Sequence, residues 1–234
     1  QLAAVNLAGP MAREILQPLV ELDLSADAFP YLGVRQAELL GISVTLLRVG
    51  FVGELGYEIH LPASQAEHAW ASLLKQGSAV GLGAFGLEAQ RLLRLEKGHL
   101  IVGHDTDALT HPYEAGLVWA IGKNKPFFVG QRSLQIYRKR ETKRVLVGVR
   151  WPDGFTGGLP EECHLIIKDG RMVGRITSIA PVSTLDYALG MAFVEPDMAE
   201  PGTRIEVRLD DGTMSVAEVA ALPFYDRDDE RQGL

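Results

Sequence analysis

The chain has 234 residues and 47% hydrophobic content, enough for a sizeable core and a length that suits two domains. A formal charge of −7 and a pI near 5.4 exclude a surface built to neutralise nucleic-acid phosphates, which needs a basic excess. Cys163 is the only cysteine, which excludes an internal disulfide framework and a thiolate metal cluster and fits a reducing compartment. No apolar run is long enough to cross a bilayer and no signal-like segment opens the chain, so a soluble, cytoplasmic protein without membrane contact is expected.

The first residue is Gln1 rather than methionine, and it leads directly into Leu2-Ala-Ala-Val-Asn-Leu-Ala8, so the chain reads as beginning inside a fold. Leu2 to Ala8 is strand-like. Gly9-Pro10 is a turn with proline at a favoured first helical position, and Met11, Ile15, Leu16 and Leu19 have helical spacing up to Val20. Val34 to Val49 supplies two strands broken at Gly41. The stretch Gly50 to His60 reads as a β-hairpin: if Gly53 to Gly56 form its loop, Phe51 falls opposite Glu58 and Val52 opposite Tyr57. A ring then lies beside a carboxylate, and a carboxylate can accept two parallel N–H donors such as those on the edge of a pterin or an amidine-like heterocycle. On spacing alone, Glu58 on the wet face of an ordinary hairpin is the simpler account.

Ser64-Gln-Ala-Glu67 is a capping-box signature, followed by a helix with Ala66, Ala69, Trp70, Leu73 and Leu74 on one face and Gly77 at its end. A second helix runs from Leu87 to Glu96 and stops at Gly98. Beyond it, His99 to Val102 is strand-like, His104 to Asp107 is a polar turn, and Pro112 to Ala120 is a short helix or turn leading into buried chain. Lys123 to Arg144 holds eight Lys or Arg residues against one acid and reads as a solvated surface. From Val145 the pattern is almost all β, in six runs: 145–151, 164–168, 171–179, 187–194, 204–209 and 213–222. Asp169-Gly170 and Asp211-Gly212 are hairpin signals, and short strands with such turns predict a small antiparallel barrel or sandwich. The expected division is therefore 1–97, an α+β domain with a largely antiparallel sheet; 98–144, a middle segment; and 145–234, the β domain.

Several chemical motifs are absent. No Gly-x-Gly-x-x-Gly follows a predicted strand, so no dinucleotide site is expected, and neither a phosphate loop nor a Gly-x-Ser-x-Gly elbow occurs. No metal is expected: the residues of His104-Asp-Thr-Asp107 more commonly cap backbone amides, and no partner histidines stand at ligand spacing.

Read in order, Asn6-Leu-Ala-Gly-Pro-Met-Ala-Arg-Glu-Ile-Leu16, Gly53-Glu-Leu-Gly-Tyr-Glu58, Leu93-Arg-Leu-Glu-Lys-Gly98, Gly103-His-Asp-Thr-Asp107 and Pro112-Tyr-Glu-Ala-Gly-Leu117 resemble successive blocks of the glycine-cleavage T-protein (aminomethyltransferase) family. Phe128 to Leu134 and Pro223-Phe-Tyr-Asp226 are similar to the branch found at the C-terminus of the heterotetrameric sarcosine oxidase alpha subunit. The resemblance implies an α+β tetrahydrofolate-binding domain, here truncated at its N-terminus, a short middle portion and a C-terminal antiparallel β-barrel. It also implies tetrahydrofolate-dependent transfer of an aminomethyl or methylene unit, with folate as small-molecule partner and a lipoyl carrier protein or amine-oxidase subunits as protein partners.

By the same resemblance Glu58 is the glutamate that holds the pterin, Phe51 the aromatic beside it, and Tyr57 a neighbour placed to support either. Gln90 stands where T-proteins have an arginine, leaving Arg91 or Arg94 as the substitute cation, and Tyr225 is a further folate contact. The family's first strands and helices, with an aspartate acting on the folate amine, precede the part matching Leu2, so the chain alone is expected to bind folate weakly. Two other readings stand beside this one: a folate-binding or scaffold module without turnover, and an iron–sulfur maintenance paralogue. The latter carries a Lys-Gly-Cys block where this chain has Lys97-Gly98-His99.

Overall fold

The structure is a computed structural model, and it describes residues 1–181 and 183–233. The chain divides into two compact units. One is Gln1–Arg94 with the segment from Tyr225 onward, and the other is Leu95–Phe224.

The first unit contains β1 (Leu2–Ala8), α1 (Ala12–Leu16), β2 (Val34–Leu39), β3 (Ile42–Leu47), β4 (Gly56–Pro62), α2 (Ala66–Gly77) and most of α3 (Leu87–Glu96). Its four strands form one antiparallel sheet in the order β1-β4-β3-β2. Alternation explains its core. Tyr57, Ile59 and Leu61 on β4, Val44 and Leu46 on β3 and Leu7 on β1 point to one face, where they bury against Ile15 and Leu16 of α1 and Ala69 and Leu73 of α2. Each fully buried aliphatic side chain contributes roughly 1.5–3 kcal/mol. The turn between β2 and β3 is Leu40-Gly41, both with positive φ, as a two-residue hairpin with right-handed strand twist requires.

Two local expectations are corrected here. The helix after Gly9-Pro10 is a single α-helical turn, α1, passing into a 3-10 turn at Gln17–Leu19, because Pro18 removes an amide that a longer α-helix would need. The capping box at Ser64 does not form: Ala63–Gln65 is a 3-10 turn, and Gln65 precedes α2 without a side-chain cap. As expected, α2 ends at Gly77. A 3-10 turn over Ser78–Val80 follows, and the left-handed residue is Gly81.

The second unit is dominated by β5 (Val145–Arg150), β6 (Leu165–Lys168), β7 (Arg171–Ala180), β8 (Leu189–Val194), β9 (Arg204–Arg208) and β10 (Met214–Ala220), which close into an antiparallel barrel ordered β10-β5-β8-β7-β6-β9. Alternate residues fill it, among them Val147, Val149, Ile166, Val173, Ile176, Ala192, Val207, Ala217 and Val219. Trp151 is fully buried and donates its indole N–H to Ser215 Oγ at 2.9 Å, so the largest core side chain keeps a partner for its polar atom. None of these strands joins the first sheet.

Between α3 and β5 lie α4 (Gln131–Tyr137) and turns. The strand expected at His99–Val102 is absent; that segment wraps the Asp105 carboxylate, which accepts the Ile101 amide at 2.8 Å, the Thr177 hydroxyl at 2.8 Å and the Ser178 hydroxyl. A fully buried acid bonded in this way draws the backbone into a turn in place of a ladder. Nor is the chain near Ala120 buried: Val118–Ala120 is a 3-10 turn, and Trp119 is exposed. Among the described residues no helix is long and apolar enough to cross a membrane.

Candidate functional site

The sheet of the first unit positions the candidate site. β4 is an interior strand, and Glu58, Ile59 and His60 have paired neighbours on both sides. Glu58 pairs with Asn6 of β1 and with Leu47 of β3, and His60 pairs with Ala4 and Thr45. Directly paired residues share a face, so Asn6, Glu58 and Leu47 form one row and Ala4, His60 and Thr45 the next, all on the side opposite the Tyr57 core. The His60 ring, through Nε2, lies 3.2 Å from Glu58 Oε2, and about a third of each side chain is exposed. Asn6 Oδ1 is buried and has no hydrogen-bond partner among the described residues. An orphaned acceptor of this kind calls for an explanation in an otherwise satisfied sheet.

This register corrects the sequence reading. Leu47, not Phe51, stands opposite Glu58, because the connection between β3 and β4 is the eight-residue segment 48–55 and not a four-residue loop. Phe51 is half-buried within that connection. Arg48 opens the segment: its guanidinium is buried, donates to the Phe29 carbonyl at 2.9 Å, and has its pKa lowered by burial. The far side is fastened by the C-terminal segment. The Gln232 amide donates to the Gly50 carbonyl at 2.7 Å, the Tyr225 hydroxyl donates to Glu54 Oε1 at 2.7 Å, and Arg231 lies 3.9 Å from Glu54 Oε2. Gly50 is required here, since a Cβ would lie 2.4 Å from the Glu54 carbonyl oxygen.

The other residues singled out from the sequence fall in different surroundings. Tyr57 is fully buried in the core, its ring 6.0 Å from that of Phe29, on the face away from Glu58. Gln90 lines a groove of about 390 Å³ whose walls include Ala4, Asn6 and Ala8 of β1, Trp70 and Leu74 of α2, and Phe85. Asn6 therefore borders both this groove and Glu58. Arg94, one helical turn beyond Gln90, is buried. Tyr225 lies past the end of β10, in the first unit, and serves Glu54.

Sequence reasoning singled out neither Asn6 nor His60. The signal for Asn6 was a lone polar residue in an otherwise apolar strand. For His60 it was the two-residue spacing from Glu58, which puts both on one face of β4. Together these groups make a surface of acceptors, with a carboxylate and an amide oxygen side by side, suited to a ligand that presents adjacent N–H donors.

An antiparallel α+β unit followed by a closed six-stranded antiparallel barrel defines the class of protein. Residues 1–125 match the GCVT N-terminal domain family and residues 144–226 the glycine cleavage T-protein C-terminal barrel domain family. The chain belongs to the glycine cleavage T-protein family.

It is 36% identical over 222 residues to an aminomethyltransferase of Halothermothrix orenii, covering 95% of this chain and 60% of the relative. It is also 32% identical over 210 residues to human mitochondrial dimethylglycine dehydrogenase, covering 89% of this chain and 24% of that protein. Among solved structures, the glycine cleavage system aminomethyltransferase T of Bartonella henselae superposes with a TM-score of 0.81 at 26% identity, over 97% of this chain and 60% of that one. The chain thus spans about 60% of the length of the aminomethyltransferases that it matches.

Proposed function

We propose that this chain supplies the pterin-holding wall and the barrel of a tetrahydrofolate-dependent aminomethyl or methylene transferase. The observation that carries the reading is the row formed by Asn6 and Glu58, where an acceptor amide oxygen without a hydrogen-bond partner among the described residues adjoins a partly exposed carboxylate. The edge of a reduced pterin offers adjacent N–H donors, and charge-assisted bonds to a carboxylate are about twice as strong as neutral ones. His60 steadies the Glu58 carboxylate from the same face. Gln90 and Arg94 border the folate site from α3, while Phe51, Tyr57 and Tyr225 support it indirectly through the β3–β4 connection, the core and the Glu54 contact. Residues 1–97 act as the folate half, 98–144 as the middle and 145–224 as the barrel, while the segment from Tyr225 onward belongs with the folate half.

In this reaction the secondary amine of the folate attacks an electrophilic methylene carbon: on a lipoyl-bound aminomethyl group the carbon–sulfur bond breaks and the carrier thiol leaves, and on an iminium the C=N π pair moves to nitrogen, which later departs as the amine. The protein contributes mainly by holding the amine in line with that carbon, and positioning of this kind is worth several kcal/mol, on the order of a thousandfold or more in rate. The methylene donor is a lipoyl-bound aminomethyl group or an iminium released by an amine oxidase. Similarity to a dimethylglycine dehydrogenase and the Phe128–Leu134 block support the amine-oxidising branch.

Calorimetric titration with tetrahydrofolate at millimolar concentration tests the assignment, since a ratio between variants is readable there even for a weak site. Glu58→Gln keeps the size of the side chain but turns one acceptor into a donor facing a donor, and should weaken binding by roughly 1.5–3 kcal/mol. An unchanged dissociation constant would remove Glu58 from the site. Turnover with formaldehyde or an aminomethyl-lipoyl carrier distinguishes a transferase from a module that only binds.

A further inference from the structure

The contact between His60 and Glu58 on the outer face of β4 has a chemistry of its own. The two residues stand two positions apart on one strand, and His60 Nε2 lies 3.2 Å from Glu58 Oε2. A carboxylate only accepts, so Nε2 is the donor, and in the neutral ring the lone pair sits on Nδ1. Among the described residues neither Nδ1 of His60 nor Oε1 of Glu58 has a hydrogen-bond partner. Both side chains are about one third exposed, within reach of a ligand on this face.

The surroundings couple the two groups to each other. Across the sheet His60 is paired with Ala4 of β1 and Thr45 of β3. Ala4 has no polar side-chain atom, and the Thr45 hydroxyl is engaged by the Gln36 amide of β2, which donates to it at 2.9 Å. Within the first unit, and among the described residues, the titratable groups on this face of the sheet near His60 are Glu58 and Glu38. The latter is exposed, two strands away and one row along, where it pairs with Ser43. Two strand spacings are roughly 10 Å, and a solvated charge at that distance is largely screened. The groove beside β1 contributes the neutral amides of Asn6 and Gln90 and no ionisable group. A charge on His60 is therefore felt chiefly by Glu58.

We propose, on the basis of the folate reading, that His60 is the positioning residue of the pterin site. By holding Glu58 Oε2 it leaves Oε1 and the neighbouring Asn6 Oδ1 as the acceptors for the ligand's two N–H donors, and its protonation weakens them. With the ring neutral, the row keeps the full negative charge of Glu58 and the ligand forms charge-assisted bonds. When Nδ1 takes a proton, Nε2 still donates, but the pair becomes neutral overall and Oε1 is a poorer acceptor. Imidazole changes charge between about pH 5 and 8. Affinity is thus highest above that range and falls as pH drops through it, and by linkage the bound ligand makes His60 harder to protonate.

The test is calorimetric titration of the full chain with millimolar tetrahydrofolate between about pH 8 and pH 5.5, above the ordinary carboxylate range. The parent is compared with His60→Gln, which keeps an N–H donor for Oε2 without a titrating charge, and with His60→Leu, which keeps neither. Dividing each parent affinity by that of His60→Gln at the same pH cancels the ligand's own titration. That ratio should fall about fivefold toward the acid end, the lower limit for coupled sites. At the alkaline end His60→Gln should bind about threefold more tightly than His60→Leu, because the donor to Glu58 is restored. Melting temperatures confirm that each variant is folded. A flat ratio, or equal affinities of His60→Gln and His60→Leu, would overturn the proposal while leaving Glu58 in the site, as long as Glu58→Gln still weakens binding. An unchanged constant for Glu58→Gln, or no measurable binding by the parent at the alkaline end, would remove the folate reading and the role of His60 together.

Discussion

The Tyr225 hydroxyl donates a 2.7 Å hydrogen bond to a carboxylate oxygen of Glu54, 171 residues earlier in the chain. With the Gln232 bond to Gly50 it pins the β3–β4 connection from outside and keeps β4 in its register. The Glu54 carboxylate, followed by burial, pushes the Tyr225 phenol up from its usual pKa, because the protonated form is the donor. A raised folded-state pKa means a contribution fully present below the unfolded value of about 10 and lost as pH rises through the folded one. Tyr225→Phe should therefore cost about 1 kcal/mol at neutral pH. The difference in melting temperature between variant and parent should shrink above about pH 10, and scanning calorimetry across that range checks both.

Glu54 and Glu58 are four residues apart and should respond differently to the same substitution. Glu54→Gln removes the charged acceptor for Tyr225 and the ion pair with Arg231, so it should lower the melting temperature with little effect on tetrahydrofolate affinity. Glu58→Gln should do the reverse. Thermal melts run beside the calorimetric titrations separate the two, and the opposite pattern would reject the site assignment.

Asp107 accepts both terminal nitrogens of Arg144 at 3.1 Å, and the Thr110 hydroxyl at 2.8 Å. These bonds hold its carboxyl well below the ordinary carboxylate range. A depressed folded pKa contributes stability that is present above the unfolded value of about 4 and lost as pH falls through the folded one. Asp107→Asn should flatten the decline of melting temperature below about pH 4 relative to the parent chain, by a modest amount because the carboxylate is partly solvated. Identical acid profiles would show that the pair forms no part of the barrel's acid sensitivity.

Gly174 lies on β7 where a Cβ would come within 2.3 Å of the Phe193 carbonyl oxygen, a backbone atom that cannot swing aside. Gly174→Ala should destabilise the barrel by about 1–3 kcal/mol through overpacking. Gly83→Ala, where an added Cβ meets nothing within 4 Å, should stay within about 1 kcal/mol of the parent in urea denaturation.

What was legible in the sequence was local. The six barrel strands, the Asp169-Gly170 turn and helix α3 all emerge where predicted, because each depends on alternation, helical spacing or positive-φ turn residues within a few positions. The succession of family blocks likewise fixed the class of fold. Glu58 could be singled out as a carboxylate on the outward face of a strand for the same reason.

Its neighbours could not be chosen in that way. Pairing Glu58 with Asn6 and Leu47 in place of Phe51 is a matter of register, and register across an eight-residue connection is set by whatever holds that connection. Here the holders are Tyr225 and Gln232, far away along the chain. The turn at Asp105 depends in the same way on hydroxyls from β7. Periodicity reports which face a residue takes within its own element. Which partner meets it there was decided only by the tertiary structure, because the deciding bonds join residues that no local pattern relates.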